Sequence, residues 1–383
     1  MKKEFSGITV DPELLSVANI TVEQVDALLG PDQSAWKIAP SPRLDDYREG
    51  KRHLHIDCKR GELFHLCASL DTRYICCSTH VAAHVSNCPF ECTYCFLQNY
   101  LTDTTLTLVA NVQAVLHEIE AGIRQQPWRL FRIGTWELGD SLGTGPIATS
   151  ARRLVEGFSG FPNALLKLRT KGALVEPLLD ADHGGRTVIS WTVNPDEFIS
   201  REEIGTAPLS RRIRAMKQAA EAGYLIGLHF DPMVQFDGWQ EAYKRCVQQI
   251  FETISPKDVC WISIGALRFN PEMKRKIEIN YPRSRITAQE MVLGDDNKLR
   301  YVRPVRVEMY RHLIGCLIEA GAGCCLIYLC MERPNVWQAV FEDPPLSIGE
   351  LDYRFAVSLK RRFPGLDLPD PVLDRYLTAA EGV

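Results

Sequence analysis

The residues best equipped for chemistry lie in one stretch, Ser86-Asn87-Cys88-Pro89-Phe90-Glu91-Cys92-Thr93-Tyr94-Cys95-Phe96-Leu97-Gln98. Cys88, Cys92 and Cys95, spaced C-x3-C-x2-C on a short loop, can set three thiolates around one face of a cubane iron-sulfur cluster and leave one iron without a protein ligand. Soft thiolates select iron-sulfur or zinc over calcium and magnesium. A structural zinc ion would need a fourth Cys or a His, and His80 and His84 stand upstream at i, i+4 spacing. Three cysteines that only fill a core are the remaining reading.

Cys95 followed at once by Phe96 resembles the signature of the radical S-adenosylmethionine (SAM) superfamily. Cys92-Thr93-Tyr94-Cys95-Phe96-Leu97-Gln98 is similar to the cluster segment of the spore photoproduct lyase family, which repairs thymine dimers in DNA. The likeness continues through Gly134-Thr135-Trp136-Glu137-Leu138-Gly139-Asp140-Ser141, Pro177-Leu178-Leu179-Asp180-Ala181-Asp182-His183, Glu221-Ala222-Gly223-Tyr224 and Leu267-Arg268-Phe269, roughly residues 70 to 345. It implies a 4Fe-4S cluster on Cys88, Cys92 and Cys95, SAM chelating the open iron, and a reducing electron donor such as flavodoxin or ferredoxin. It further implies SAM contacts at Glu137, Asp140 and Ser141 for the amino group, Lys171 for the carboxylate, Thr192 and Asn194 beside the ribose, and Phe96 beside adenine. Arg268 is the implied substrate contact, since a guanidinium can clamp a phosphate or carboxylate at two points.

The sequence departs from the repairing members of that family at the hydrogen-atom donor. They share a cysteine near the end of the first barrel strand and a tyrosine on either side of the last cluster cysteine. Here that strand end reads Ile133-Gly134-Thr135-Trp136-Glu137, and of the two tyrosines only Tyr94 is present. An S-H bond gives up hydrogen to a carbon radical where a Thr O-H or a Phe C-H does not. Cys330, in Tyr328-Leu329-Cys330-Met331-Glu332, is expected to face the barrel mouth together with Glu332 and to replace the missing donor; a buried thiol is the plain alternative. The expected function is a SAM-cleaving radical enzyme of lyase type. A radical SAM reaction on another nucleotide or small molecule is the alternative, and a zinc-stabilised nucleic-acid-binding protein without catalysis is the rival from another class.

Composition bounds these readings. The chain has 383 residues, 45% of them hydrophobic, enough for a large domain with appendages. No apolar region follows Met1-Lys2-Lys3-Glu4-Phe5, and the longest apolar run, Leu313 to Leu329, is broken by Glu319, so neither export nor membrane insertion is expected. Thirteen cysteines, an odd number without small-domain spacing, point to a reducing cytoplasm. A net charge of -4 from 44 basic and 48 acidic residues gives no global attraction to DNA. DNA as a partner rests on Ser210-Arg211-Arg212-Ile213-Arg214, Lys274-Arg275-Lys276 and Arg303-Pro304-Val305-Arg306 sharing a face. Cys58, Cys67, Cys76 and Cys77 could hold a second cluster, but a pair of buried strand cysteines in Tyr74-Ile75-Cys76-Cys77 is the favoured reading.

The elements that must position these groups alternate along the chain. Helices are expected at 22 to 29 (Thr21 as N-cap), 111 to 126, 148 to 158, 173 to 179, 211 to 222, 239 to 254 and 306 to 320. Strands are expected at 130 to 133, 165 to 168, 187 to 193, 225 to 230, 260 to 267 and 325 to 330. Repeated β-α units call for parallel strands with right-handed crossovers. The fold class is α/β, a partial or complete (β/α) barrel of radical SAM type (71 to 345) with a small N-terminal extension (1 to 70) and a C-terminal helical extension (346 to 383). Active groups belong at the C-terminal strand ends of such a barrel.

Overall fold

The structure is a computed structural model and describes residues 5–16, 20–30, 35–58, 62–67, 71–135 and 137–381. Its main sheet contains β1 (Phe64–Leu66), β2 (His80–Ala82), β3 (Phe131–Gly134), β4 (Ala164–Thr170), β5 (Thr187–Thr192), β6 (Leu225–Met233), β7 (Val259–Ala266) and β8 (Leu326–Leu329). They lie in the order β8-β7-β6-β5-β4-β3-β2-β1, an open, curled half-barrel. Every neighbouring pair is parallel except β1 and β2. Val188-Ile189 of β5 pair with Leu225-Ile226 of β6, and Ser263 of β7 with Tyr328 of β8. β3, β5 and β7 are buried along their whole length, as strands with both faces covered must be. The two free edges approach each other at one point, where the Ile75 N-H donates to the Glu332 carbonyl at 2.9 Å.

Helices α1 (Val112–Arg124), α2 (Gly145–Phe158), α3 (Leu209–Glu221), α4 (Trp239–Phe251), α5 (Arg303–Glu319) and α6 (Ile348–Arg362) supply the other layer. On α1 the apolar stripe is Val112, Val115, Leu116, Ile119 and Ile123, all buried. Each such side chain contributes about 1.5–3 kcal/mol on leaving water. α6 is tied beneath β3 by Asp352, whose carboxylate pairs with Arg129 at 2.9 Å and Arg132 at 2.6 Å. Among the described residues no helix is long and apolar enough to cross a membrane.

Segments before and between the first strands of the main sheet build a second sheet whose strands show no clear period in the sequence. Gly7–Val10, Lys37–Ile38, His53–Asp57 and Leu106–Val109 run parallel, and Val85–Ser86 adds an antiparallel edge. The expected helix Val22–Leu29 is present, closed by a reciprocal Thr21–Gln24 capping box.

Three expectations are corrected. The helix expected over 173 to 179 is only a single 3-10 turn, Glu176–Leu178, because Pro177 has no N-H to give and its ring would collide with the carbonyl four residues back. Tyr74 to Cys77 form no regular strand: Cys76 and Cys77 are buried, but Ile75 makes only the isolated bridge to Glu332. Glu332 does not face the barrel mouth; it is 1% exposed and binds Arg306 at 2.8 Å and the Tyr310 hydroxyl at 2.7 Å.

Candidate active site

The cluster loop is held mainly through its backbone. Lys51, fully buried, donates to the Cys88 carbonyl at 2.5 Å, the Phe90 carbonyl at 2.6 Å and Asn87 Oδ1 at 3.4 Å. Asn87 Oδ1 in turn accepts the Cys88 N-H at 2.7 Å. Farther along, Cys92 pairs in antiparallel register with Glu203, and the Thr93 N-H donates to Glu202 O at 2.9 Å. Burial pushes the Cys88 thiol up to about 12 despite Lys51, and raises Cys92 well above its ordinary range, so both sulfurs favour their protonated form until a metal displaces the proton. Phe96 closes the loop with its ring 48% exposed.

A tetrahedral zinc ion with Zn–S near 2.3 Å requires sulfurs about 3.8 Å apart. Among the described residues, no set of three ligand atoms that includes Cys88, Cys92, Cys95, His80 or His84 lies within 4.8 Å of one another. The His80 ring is packed against Phe64 and Phe131, each at 5.1 Å, and the His84 ring is fully buried without a hydrogen-bond partner. Among the described residues these groups therefore do not form a tight three-ligand set of the kind a single zinc ion uses.

Around the strand ends, the residues singled out from sequence divide into two sets. Asp140, Ser141, Thr192 and Asn194 are buried and engaged within the protein. Asp140 accepts from the Lys171 N-H at 2.8 Å, Thr170 Oγ1 at 2.7 Å and the Leu142 N-H at 3.0 Å. Ser141 Oγ bonds Thr135 Oγ1 at 2.7 Å and accepts the Arg169 N-H at 3.0 Å. These contacts fold the glycine-rich turn back onto the end of β4. Gly139 is required there because a Cβ would sit 2.6 Å from the Asn87 carbonyl oxygen. Trp136 of that turn lies outside the described residues. Asn194 bridges Glu203 at 3.1 Å and the Tyr243 hydroxyl at 2.9 Å.

Glu137, Lys171 and Arg268 keep part of their side chains accessible, 13, 16 and 14% respectively. Glu137 lies 3.2 Å from His65 Nε2, while Lys171 reaches Glu203 at 4.0 Å. Glu203, which no sequence signal marked, joins Tyr94, Lys171 and Asn194. Its buried carboxylate accepts from the Tyr94 hydroxyl and pairs with Arg212 at 2.6 Å.

Arg268, Asp231 and Cys330 form the far wall. Arg268 Nη1 donates to Asp231 Oδ1 at 3.0 Å, and its Nη2 lies 3.4 Å from Cys330 Sγ. Arg169 links this wall to β5, donating to Thr192 Oγ1 at 3.1 Å and to the Asp231 carbonyl at 2.9 Å. Behind Cys330 stand the two cysteines that the edge bridge carries in from residue 75. Cys76 is buried beside Cys330 and Cys77, and interaction with them, together with burial, holds it as the thiol. Cys77, accepting from Cys76 with Lys167 and Arg132 nearby, lies well below the ordinary thiol range. His229 is 1% exposed with neither ring nitrogen hydrogen-bonded; burial, reinforced by Lys167, Arg169 and Lys171, keeps it neutral.

Of the basic runs, two are partly internal. Arg212 is the counter-ion of Glu203, and Arg306 that of Glu332. Lys274-Arg275-Lys276 remains exposed on the helix Pro271–Asn280, which reaches Gln98 through Lys276 at 3.4 Å and Asn280 at 3.2 Å.

The spore photoproduct lyase family model matches residues 35–304, 270 of the 383 positions. The chain belongs to the spore photoproduct lyase family. Its relatives include spore photoproduct lyase of Bacillus subtilis (strain 168), 29% identical over 220 residues, which is 56% of this chain and 62% of the relative. The enzyme of Geobacillus sp. (strain Y412MC61) is 26% identical over 208 residues, 54% of this chain and 61% of that one. The chain thus spans just over three fifths of the length of these two relatives. A solved spore photoproduct lyase complexed with dinucleoside spore photoproduct has the same fold, with a TM-score of 0.72 at 20% identity, covering 86% of this chain and 100% of that one. A mutant of that lyase with bound AdoMet and dinucleoside spore photoproduct superposes with a TM-score of 0.70 at 20% identity, covering 85% and 99%.

Proposed function

We propose that the chain is a radical SAM enzyme of lyase type acting on a photoproduct of thymine in DNA, with a thiol donor that differs in position from that of the repairing relatives. Cys88, Cys92 and Cys95, three soft thiolates on one loop, would hold a 4Fe-4S cluster. When bound, cluster and SAM supply a 5'-deoxyadenosyl radical. Glu137 and Lys171 offer opposite charges at the barrel mouth for the ammonium and carboxylate of the methionyl group, and Phe96 an exposed ring for adenine. Asp140, Ser141, Thr192 and Asn194 act from behind, fixing the strand ends that carry them. Electrons would come from a reducing protein such as flavodoxin or ferredoxin, in the cytoplasm.

The observation that carries the lyase reading is the thiol wall. Cys330 lies beside Arg268 and Asp231, with Cys76 in contact behind it. A substrate carbon radical would take hydrogen from the Cys330 S-H, forming C-H and leaving a thiyl, while Arg268 holds the substrate phosphate. Tyr94 is tied to Glu203, away from that wall. The exposed run Lys274-Arg275-Lys276 beside the cluster loop supports an anionic polymer as substrate.

The test is anaerobic reconstitution with iron and sulfide, reduction, and incubation with SAM and dinucleoside spore photoproduct. Wild type should form 5'-deoxyadenosine and restore thymine, and Cys92→Ala should do neither. Cys330→Ala should cleave SAM but release no repaired product. SAM cleavage by the wild type without repair would move the assignment to another nucleotide or small-molecule substrate, and a colourless zinc protein would move it to a binding module.

A further inference from the structure

The N-terminal sheet places a second set of ligating groups away from the cluster loop. Gly7–Val10 and His53–Asp57 are parallel neighbours with Thr9 opposite His55. Residues two apart on a strand share a face, so Asp57 lies above His55 and Asp11 above Thr9 at the C-terminal end of both strands. A ring nitrogen of His55 and one carboxylate oxygen each from Asp11 and Asp57 all lie within 4.8 Å of one another. It is the only such group of three among the described residues.

His55 is the independent sign of a ligand. It is 2% exposed, and Thr9 Oγ1 takes up its Nδ1 at 2.9 Å while also meeting His53 Nε2 at 3.1 Å. The Thr9 hydroxyl thus joins the two imidazoles and anchors His55 at Nδ1. With Nδ1 engaged by Thr9, Nε2 is the ring nitrogen left to serve as a ligand. A ring nitrogen anchored by an outer partner while the other presents its lone pair is the arrangement of a metal-ligating histidine. Asp11 keeps one oxygen for the Glu13 N-H at 2.8 Å and has the other to offer.

We propose that Asp11, His55 and Asp57 bind one divalent first-row cation of the Mn2+ and Zn2+ class. One imidazole nitrogen with two carboxylates is a mixed donor set suited to such ions, and three protein ligands leave further positions for water. The ion would join the ends of two adjacent strands and neutralise two carboxylates held close together. It would stabilise the N-terminal sheet and leave the radical chemistry to the barrel.

The test uses Mn2+, which competes poorly for thiolates, titrated anaerobically into the full chain carrying its reconstituted cluster, with free Mn2+ read by electron paramagnetic resonance. Wild type should bind one Mn2+ per chain in the micromolar range, with a rise in Tm on saturation. Asp57→Asn, close in volume, should weaken binding at least tenfold and abolish the rise in Tm, while the exposed Asp45→Asn should match wild type. His55→Gln should behave as Asp57→Asn does. No stoichiometric binding by wild type up to millimolar Mn2+, or equal binding by Asp57→Asn, overturns the assignment.

Discussion

Replacing Glu203 by Gln tests how the cluster loop is anchored. Burial alone would raise the Glu203 carboxyl, but Arg212, then Lys171 and the Tyr94 hydroxyl, outweigh it and hold it at about 2 against an ordinary 4.5. At 1.36 kcal/mol per pH unit, that depression is worth about 3 kcal/mol of stability at neutral pH. Because the folded value is the lower one, the contribution is complete above pH 4.5 and is lost as pH falls toward 2. Gln preserves shape but strands the Arg212 guanidinium, which is fully buried, and breaking a buried pair from one side costs about 3–5 kcal/mol. Urea unfolding of the cluster-free protein at pH 7 and at pH 3.5 measures both effects. Glu203→Gln should lose about 3 kcal/mol or more at pH 7 and visibly less at pH 3.5. Adding Arg212→Met should recover part of the loss, since no charge is then left unpaired. A loss under about 1 kcal/mol at pH 7, or one that stays constant down to pH 3.5, would refute the reasoning.

Lys51→Met removes a charged donor from two loop carbonyls, each contact worth about 1.5–3 kcal/mol. Iron per chain after reconstitution should fall severalfold with helix content unchanged, and full iron loading would count against Lys51 as the loop's anchor. Asp352→Ala leaves Arg129 and Arg132 without their shared carboxylate and should destabilise the protein by about 3–5 kcal/mol in thermal or urea unfolding; a change under 1 kcal/mol would show that α6 is held by its apolar face alone.

The three-cysteine loop and most barrel strands were legible because their signals are local. Spacing on one loop and apolar runs bounded by turns need no knowledge of what lies across the fold. Strand 187 to 193 and helix 111 to 126 were placed to within two residues on that basis. What stayed hidden were partnerships between distant segments. Glu203 reads as a surface acid in Arg201-Glu202-Glu203 until Arg212 and the cluster loop enclose it. Lys51 carries no motif, yet it is among the most buried side chains. The N-terminal strands are short and mixed with histidines, so their period is too weak to detect, and the expected roles of Asp140 and Asn194 could not reveal that both are already satisfied by protein donors and acceptors.

The single hydrogen bond between Ile75 and Glu332 has a kinetic meaning. Its partners are 257 positions apart (332 minus 75), so the contact gains nothing until nearly the whole sheet between them is in place. It is therefore among the last native contacts to form. During synthesis the cysteine loop leaves the ribosome early, whereas the thiol wall exists only once residue 330 has emerged and the seam has closed. If the proposed roles hold, an incomplete chain would carry the cysteine loop without the thiol wall, and completion of the fold is what would join the two.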